Sequence, residues 1–489
     1  MIFNSMQFLI FFAVVISTYF LINSKYRWVL LLAASYYFYM SWNPAYILLI
    51  ILSTIVDYFA SLKMEQQQKK EDRKKYLFLS LFVNLGLLFF FKYYGFFNNS
   101  FSSVVRSFNM NLGLPNFDLL LPVGISFYTF QTLSYTIDVY RGEKKAEKHF
   151  GIFALYVSFF PQLVAGPIER STRLLPQFKK KIDFDSARVA SGLQLMLWGF
   201  FKKVVVADRL ALYVNGVYNN LEGLRGITLI LATVFFAFQI YCDFSGYSSI
   251  AIGAARVMGF DLMTNFKRPY FAKSIPEFWR RWHISLSSWF KDYLYIPLGG
   301  NRVTKIRYYF NLFVTFLVSG LWHGAAWTFV IWGGLHGLYQ IISISTVSLR
   351  RNIKEKLGIN KLPTLNKLWQ ITATFALVNF GWIFFRANSL SDAVYVVNNL
   401  FTSLGTQLSS WTNLKAAVVG YGLNQYELLL AFAVIIIMET VHLMQRQGSV
   451  REFLNQKPAL YRWAAYYSLI ILILGFGVYG EAEFIYFQF

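Results

Sequence analysis

Long apolar runs alternate with short polar connectors along this chain. The runs cover 6–23, 28–41, 44–62, 76–97, 119–139, 150–165, 190–207, 227–254, 308–321, 325–346, 368–385, 426–444 and 463–480. Crossing a bilayer takes about 20 residues of helix, and most runs approach that length. The segments 28–41 and 150–165 are shorter, which predicts tilted, re-entrant or incomplete spans. The pattern therefore predicts an all-α polytopic membrane protein with about eleven spans plus re-entrant pieces. We expect a single membrane domain over 1–489, because no polar stretch is long enough to fold by itself in water. There is no internal repeat. The mixed loop at 386–425 predicts a short interfacial helix.

Composition agrees with the pattern. The chain is 56% hydrophobic and 14% charged, with mean hydropathy +0.43, against about 25% charged residues in a soluble protein. A net charge of +22 would suggest nucleic acid if the cations formed one patch. Here they fall in connectors, at 23–27, 63–75, 141–149, 169–181, 256–307, 350–367 and 445–457. Nucleic-acid binding is excluded on this ground. The connectors 98–118, 213–226 and 386–425 are poor in cations. Placing the basic set in the cytoplasm puts both termini outside and requires 150–165 to enter and return on the cytoplasmic side. The N-terminus lacks a positive n-region and a cleavage site, so it reads as a retained first helix. The lone Cys242 excludes an intrachain disulfide and a cysteine-based metal site.

Candidate chemistry concentrates at 274–346, which holds His283, His323 and His336 of the five histidines. Ser274-Ile-Pro-Glu277 has the capping-box pattern and predicts a helix running to about Tyr293. Such a helix would put Arg281, Ser285, Ser288 and Asp292 on one polar stripe and Trp279, His283, Leu286 and Phe290 on an apolar one. Trp282 and Tyr293 border the apolar stripe. Taken alone, His283 reads most simply as filling a polar gap in an interfacial helix. His323 lies in Gly320-Leu-Trp-His-Gly324, between two apolar runs, and His336 lies inside the second. The spacing of 13 residues between them, without an intervening carboxylate, does not suit a helix-borne metal pair, so no metal is expected. Ionisable groups at membrane depth point to function by default, and this favours His323. For His336 a functional role and a hydrogen bond across helices are equally open.

This set suits acyl transfer. A hydroxyl acceptor needs a base, which a neutral buried imidazole can supply, and the oxyanion needs donors such as backbone or indole N–H groups. No G-x-S-x-G elbow is present, so a serine nucleophile is not indicated. Other residues expected to line a cavity are Asn301, Arg302 and Trp322, with Asp243 and Ser245 from an earlier helix. For Asp57 and Asp243 the simpler expectation is a structural pair with a buried lysine such as Lys92, Lys202 or Lys203. Gly166-Pro-Ile-Glu-Arg170, after Phe160-Pro-Gln, marks a re-entrant turn.

On these residues the chain resembles the membrane-bound O-acyltransferase family, and within it the branch that O-acetylates alginate and other polysaccharides. The resemblance runs through LPVGISFYTFQTLSYTIDVYRG (121–142), FPQLVAGPIER (160–170), WGFFKKVVVADR (198–209), YCDFSGYSSIAIG (241–253), RRWHISLSSWFKDYLYIPLGGNR (280–302), SGLWHG (319–324), VNFGWIFFRANSLSDA (378–393) and EFIYFQF (483–489). It implies that His323 is the family's central histidine and that His283 falls on a second position, a His or Asn. It also implies a ring of helices around a narrow waist, in a bacterial cytoplasmic membrane. A cytoplasmic thioester such as acetyl-CoA would enter from below and a polysaccharide acceptor from outside. No cofactor is held permanently, and a separate extracytoplasmic acetyl-accepting protein is implied as partner. Two alternatives stay open: D-alanyl transfer from a carrier protein, as in teichoic-acid relatives, and a flippase without chemistry. Missing internal repeats count against the flippase.

Overall fold

The computed structural model describes every residue except 111–114, 116, 118, 119, 165, 447, 481–483, 488 and 489. The regular structure among the described residues is helical, with no strand. Among the described residues, seven helices are long and apolar enough to cross a membrane: Pro44–Gln66, Lys70–Ser107, Ser186–Tyr218, Ile227–Val257, Pro363–Arg386, Gln425–Met444 and Ala459–Phe476. The pair Trp327–Ser345 and Val347–Lys356, bent by 57°, makes an eighth if it counts as one broken span. The difference from the larger sequence-based number is mainly one of length. Met6–Leu21, Arg27–Met40 and Ile125–Arg141 have 16, 14 and 17 residues. At 1.5 Å per residue, helices of this size fall short of a hydrocarbon core about 30 Å thick.

The chain divides into two compact units. The first comprises Met1–Met196 and Ile250–Thr264. Its centre is the helix Ile125–Arg141, buried along most of its length although it carries Ser126, Thr129, Gln131, Thr132, Ser134, Thr136 and Asp138. A helix buried all round can hold such groups only if they find partners. Ser134 and Thr136 donate back to the carbonyls of Gln131 and Thr132, and Gln131 donates to the Tyr156 carbonyl. Asp57 departs from expectation, because polar neutral groups hold it and, among the described residues, no lysine pairs with it. Ser80 Oγ donates to its carboxylate at 2.5 Å, and Asn84 Nδ2 at 2.9 and 3.1 Å. Three buried residues at helical spacing (Asp57 on one helix, Ser80 and Asn84 on the next) thus replace an ion pair.

The segment 150–165 is also in this unit. It forms Phe150–Ser158 and Phe160–Leu163, broken at Phe159 just before Pro161, and then runs without regular structure through 167–170. Neither piece is long enough to span. Its two flanks meet: Lys144 Nζ donates to the Ser171 carbonyl at 3.0 Å, and Lys179 Nζ pairs with Glu147 at 2.7 Å. The two flanks of this buried segment are thus tied together. The Glu169 carboxylate accepts the Met263 amide, which anchors the turn, and burial pushes this carboxyl up to about 7.

The second unit comprises Leu197–Ser249 and Asn265–Gln488. Within it the cation-poor connectors touch one another. Arg386 Nη2 donates to Asn215 Oδ1 at 2.8 Å, Tyr395 Oη to the Leu224 carbonyl at 3.2 Å, and the Ile227 amide to Gln407 Oε1 at 2.8 Å. The 386–425 loop holds three short helices, Leu390–Asn399, Leu404–Gln407 and Trp411–Val418, where one was expected. The same unit holds the hairpin of Lys305–His323 and Trp327–Ser345. These two helices cross at Gly320 and Gly333. A Cβ on Gly320 would lie 2.3 Å from the Phe329 carbonyl oxygen, and one on Gly333 would lie 2.4 Å from that of Phe316. Only glycine permits this approach.

Candidate active site

The expected helix over 274–293 starts where the sequence puts it. Ser274 caps Ile275–Trp279 by accepting the Glu277 amide. The helix then stops, and a second one, Ile284–Phe290, begins after His283. The break has an identifiable cause. Asn265 accepts the Ile284 amide through its carbonyl at 2.9 Å, and its side-chain oxygen accepts the amide and hydroxyl of Ser285 at 3.3 and 2.7 Å. The Lys267 amide takes the Arg281 carbonyl at 2.9 Å. These bonds replace the i→i−4 ladder, and His283 closes the break in the left-handed region at φ 42°, ψ 55°. That conformation is uncommon outside glycine, although Asn, Asp and His enter it more readily than other residues, and it collects at functional positions. The single-helix expectation and its two stripes are corrected accordingly. Asn265 is a buried organiser that sequence reasoning missed, since one Asn in a loop carries no periodic signal.

His323 ends the helix Lys305–His323, with Gly324 as cap. His336 lies in the middle of the next helix. All three rings are buried, with at most 2% exposed, and they lie along one aromatic row. His283 and Trp322 have centroids 5.9 Å apart, and Trp322 and His323 5.0 Å. Trp332 follows at 5.0 Å from His323 and 4.9 Å from His336, and Trp279 stands 5.0 Å beyond. Trp279 Nε1–H donates to His336 Nδ1 at 3.2 Å, so the interhelix hydrogen bond considered for His336 is present. His283 and His323 share a second neighbour, Tyr486, whose ring lies 6.3 and 5.6 Å from theirs. Phe244 abuts both His283 and Tyr486 at 4.6 Å. Tyr486 was not singled out from the sequence, although the tail stretch that contains it was.

The tail reaches this place through a buried charge cluster. Asp243 Oδ2 accepts the Ile485 amide at 2.8 Å, and Lys203 Nζ bridges Asp243 and Asp208 at 2.7 and 2.8 Å. Lys203 sits in the π-turn Phe201–Ala207, whose wider loop puts Lys202 and Lys203 in succession toward the protein. Lys202 Nζ donates to the carbonyl and hydroxyl of Ser245 at 2.8 and 3.1 Å and to Ser249 Oγ at 2.9 Å. Asp243 is thus the structural partner of a lysine, as the simpler expectation had it, and Ser245 serves an ammonium.

The remaining candidates separate. Trp282 packs in the aromatic layer, 5.0 Å from Trp382. Arg281 pairs with Glu277 and donates to the Arg268 carbonyl. Asp292 and Tyr293 lie in the π-turn Lys291–Tyr295, with Tyr293 against Trp289 at 5.1 Å. Asn301 and Arg302 are exposed on the following turn and do not join the buried row.

An all-helical polytopic protein that collects histidines at helix ends inside an aromatic core has the features of a membrane-embedded transferase. Residues 147–379 match the sequence profile of the membrane-bound O-acyltransferase family. A probable alginate O-acetylase of Pseudomonas aeruginosa is 42% identical over 88% of this chain and 81% of its own length. The peptidoglycan O-acetyltransferase of Helicobacter pylori is 38% identical over 77% and 74%. The teichoic acid D-alanyltransferase of Bacillus subtilis is 28% identical over 55% and 70%. The chain belongs to the membrane-bound O-acyltransferase family and is an O-acyltransferase.

Proposed function

We propose that this enzyme moves an acetyl group from a cytoplasmic thioester, acetyl-CoA, to a polysaccharide hydroxyl outside a bacterial cytoplasmic membrane. The hydroxyl attacked first belongs either to the sugar or to an extracytoplasmic partner protein. The observation that carries this reading is the convergence of His283 and His323 on one buried site. His323 takes the proton of the acceptor hydroxyl as its oxygen bonds to the thioester carbonyl carbon. The tetrahedral intermediate collapses with cleavage of the C–S bond, and the imidazolium returns its proton to the leaving thiolate. His283 orients the reacting groups or supports the oxyanion. D-alanyl transfer is the weaker alternative, because relatives named for O-acetylation match over more of the chain and at higher identity than those named for D-alanylation.

The test is transfer of labelled acetyl from acetyl-CoA by the full chain in bilayers, with and without acceptor glycan. We expect His323→Ala to reach the membrane intact and transfer nothing. Normal transfer by that variant would remove His323 from the mechanism. Thioester left untouched by the wild type would favour a flippase, and use of a carrier-protein thioester alone would favour D-alanyl-type transfer.

A further inference from the structure

We propose that Arg268, Arg281 and Arg446 form a phosphate-binding cluster for the nucleotide portion of the thioester donor, a site that rests on the acetyl-CoA reading above.

Two connectors that charge alone assigns to the same side meet here. Arg268 belongs to 256–307 and Arg446 to 445–457. The contact between their elements is geometric. Tyr241 Oη and His442 Nε2 are 3.1 Å apart, which fastens the end of Gln425–Met444 to the helix Ile227–Val257. The Tyr241 ring also packs on Phe266 and Tyr270 at 5.7 and 5.6 Å, flanking Arg268 in sequence on both sides. Arg446 follows His442 by one helical turn. Arg281 Nη1 donates to the Arg268 carbonyl at 3.4 Å.

Charge in this group is unbalanced. Glu277 is committed to Arg281, and Glu439 lies 3.4 Å from His442 Nδ1. Neither Arg268 nor Arg446 forms an ion pair among the described residues, and Arg268 Nη1 is buried there without a hydrogen-bond partner. A buried guanidinium N–H that donates to no protein acceptor favours an incoming anion. Arg268 also holds a left-handed backbone, φ 51°, ψ 64°, that is strained for its type. Burial, and then the fields of Arg281 and Arg446, push its guanidinium below the ordinary arginine range. An incoming phosphate would supply an acceptor for Arg268 Nη1 and offset the crowded positive charge, and the planar forks of arginine match phosphate oxygens. The position fits a donor. Arg281 precedes the strained His283 by two residues, so phosphates held here leave the pantetheine arm to run toward the histidine pair.

The experiment is a binding titration of coenzyme A and of pantetheine, which lacks the phosphates, on the full chain in nanodiscs of zwitterionic lipid. Arg268→Gln and Arg446→Gln should each raise the Kd for coenzyme A about tenfold and shrink its advantage over pantetheine by the same factor. Arg446 is exposed, so its variant keeps the test valid if Arg268→Gln fails to fold. Unchanged affinity for coenzyme A in both variants would overturn the proposal, as would an equal loss for both ligands. The lipid arm repeats the comparison in discs containing anionic lipid. If the variants lose only an anionic-lipid effect, the cluster reads headgroups and the proposal is overturned. Because no acetyl group is involved, arginine-dependent binding without acetyl transfer would refute the acetyl reading and leave this site standing.

Discussion

His323 and His336 face each other across Trp332, at 5.0 and 4.9 Å, yet they occupy different kinds of place. His336 is in mid-helix, with its Nδ1 engaged by the Trp279 indole. Its backbone is regular, and the facing helix approaches it closely at Gly381, where a Cβ would lie 3.1 Å from His336 Nε2. His323 is at a helix end beside a glycine cap, faces a second imidazole across Trp322 and Tyr486, and has neighbours from three separate chain segments. Equal burial therefore does not mean equal function. The two rings sit in different backbone surroundings, one at a helix end beside a glycine and one in mid-helix with its Nδ1 engaged.

The largest effect that tests this contrast is at His323. His323→Ala should lower acetyl transfer by about 10²–10⁴-fold with unchanged amount in the membrane, the range a positioned base contributes. His336→Gln keeps a polar group of related size and should stay within about tenfold of wild type. A variant pair that reversed this order in a transfer assay would break the contrast.

His283 comes next, and its backbone distinguishes two roles. Alanine there removes the ring and keeps the left-handed strain, whereas asparagine tolerates that conformation. We expect His283→Ala to lose up to about 100-fold in transfer, as expected when a positioning group is removed. His283→Asn should retain most of the thermal stability and a larger share of the transfer rate. Equal rates for the two variants, both near wild type, would reduce His283 to packing.

The first half of this site was legible in the sequence because its signals are local. The apolar runs gave the helical class, Gly320-Leu-Trp-His-Gly324 gave the break that carries His323, and the capping box gave the start at Ser274. What escaped was non-local. The helix after Trp279 is interrupted by hydrogen bonds from Asn265, and propensity over 274–293 contains nothing of that. Tyr486 arrives because Asp243 holds the Ile485 amide across 242 residues of chain. For Asp57 the simpler expectation of a lysine partner fails. A carboxylate can be satisfied equally by hydroxyl and amide donors, and composition does not distinguish the two.

The tail supplies a stability test. Asp243→Asn removes one carboxylate from Lys203 and weakens the acceptor for Ile485. Removing one partner of a buried pair costs about 3 kcal/mol or more, so the melting temperature in detergent should fall. Carboxypeptidase should also reach the C-terminus sooner. A lowered melting temperature with an unchanged tail would show that the charge cluster and the tail are independent.

The smallest effect probes the structural histidine from its partner's side. Trp279→Phe keeps an aromatic ring against Phe316 and Trp332 but deletes the indole N–H that His336 Nδ1 accepts. One neutral hydrogen bond contributes about 1 kcal/mol, so the loss of stability should be of that order and the transfer rate should change less than about fivefold. If His336 is structural, combining Trp279→Phe with His336→Gln should cost less than the sum of the two single changes, because both remove the same bond. If His336 acts on substrate, the double variant should lose the full catalytic effect of His336→Gln on top of the stability change. Rate and melting temperature measured on the four proteins of that cycle separate the two outcomes.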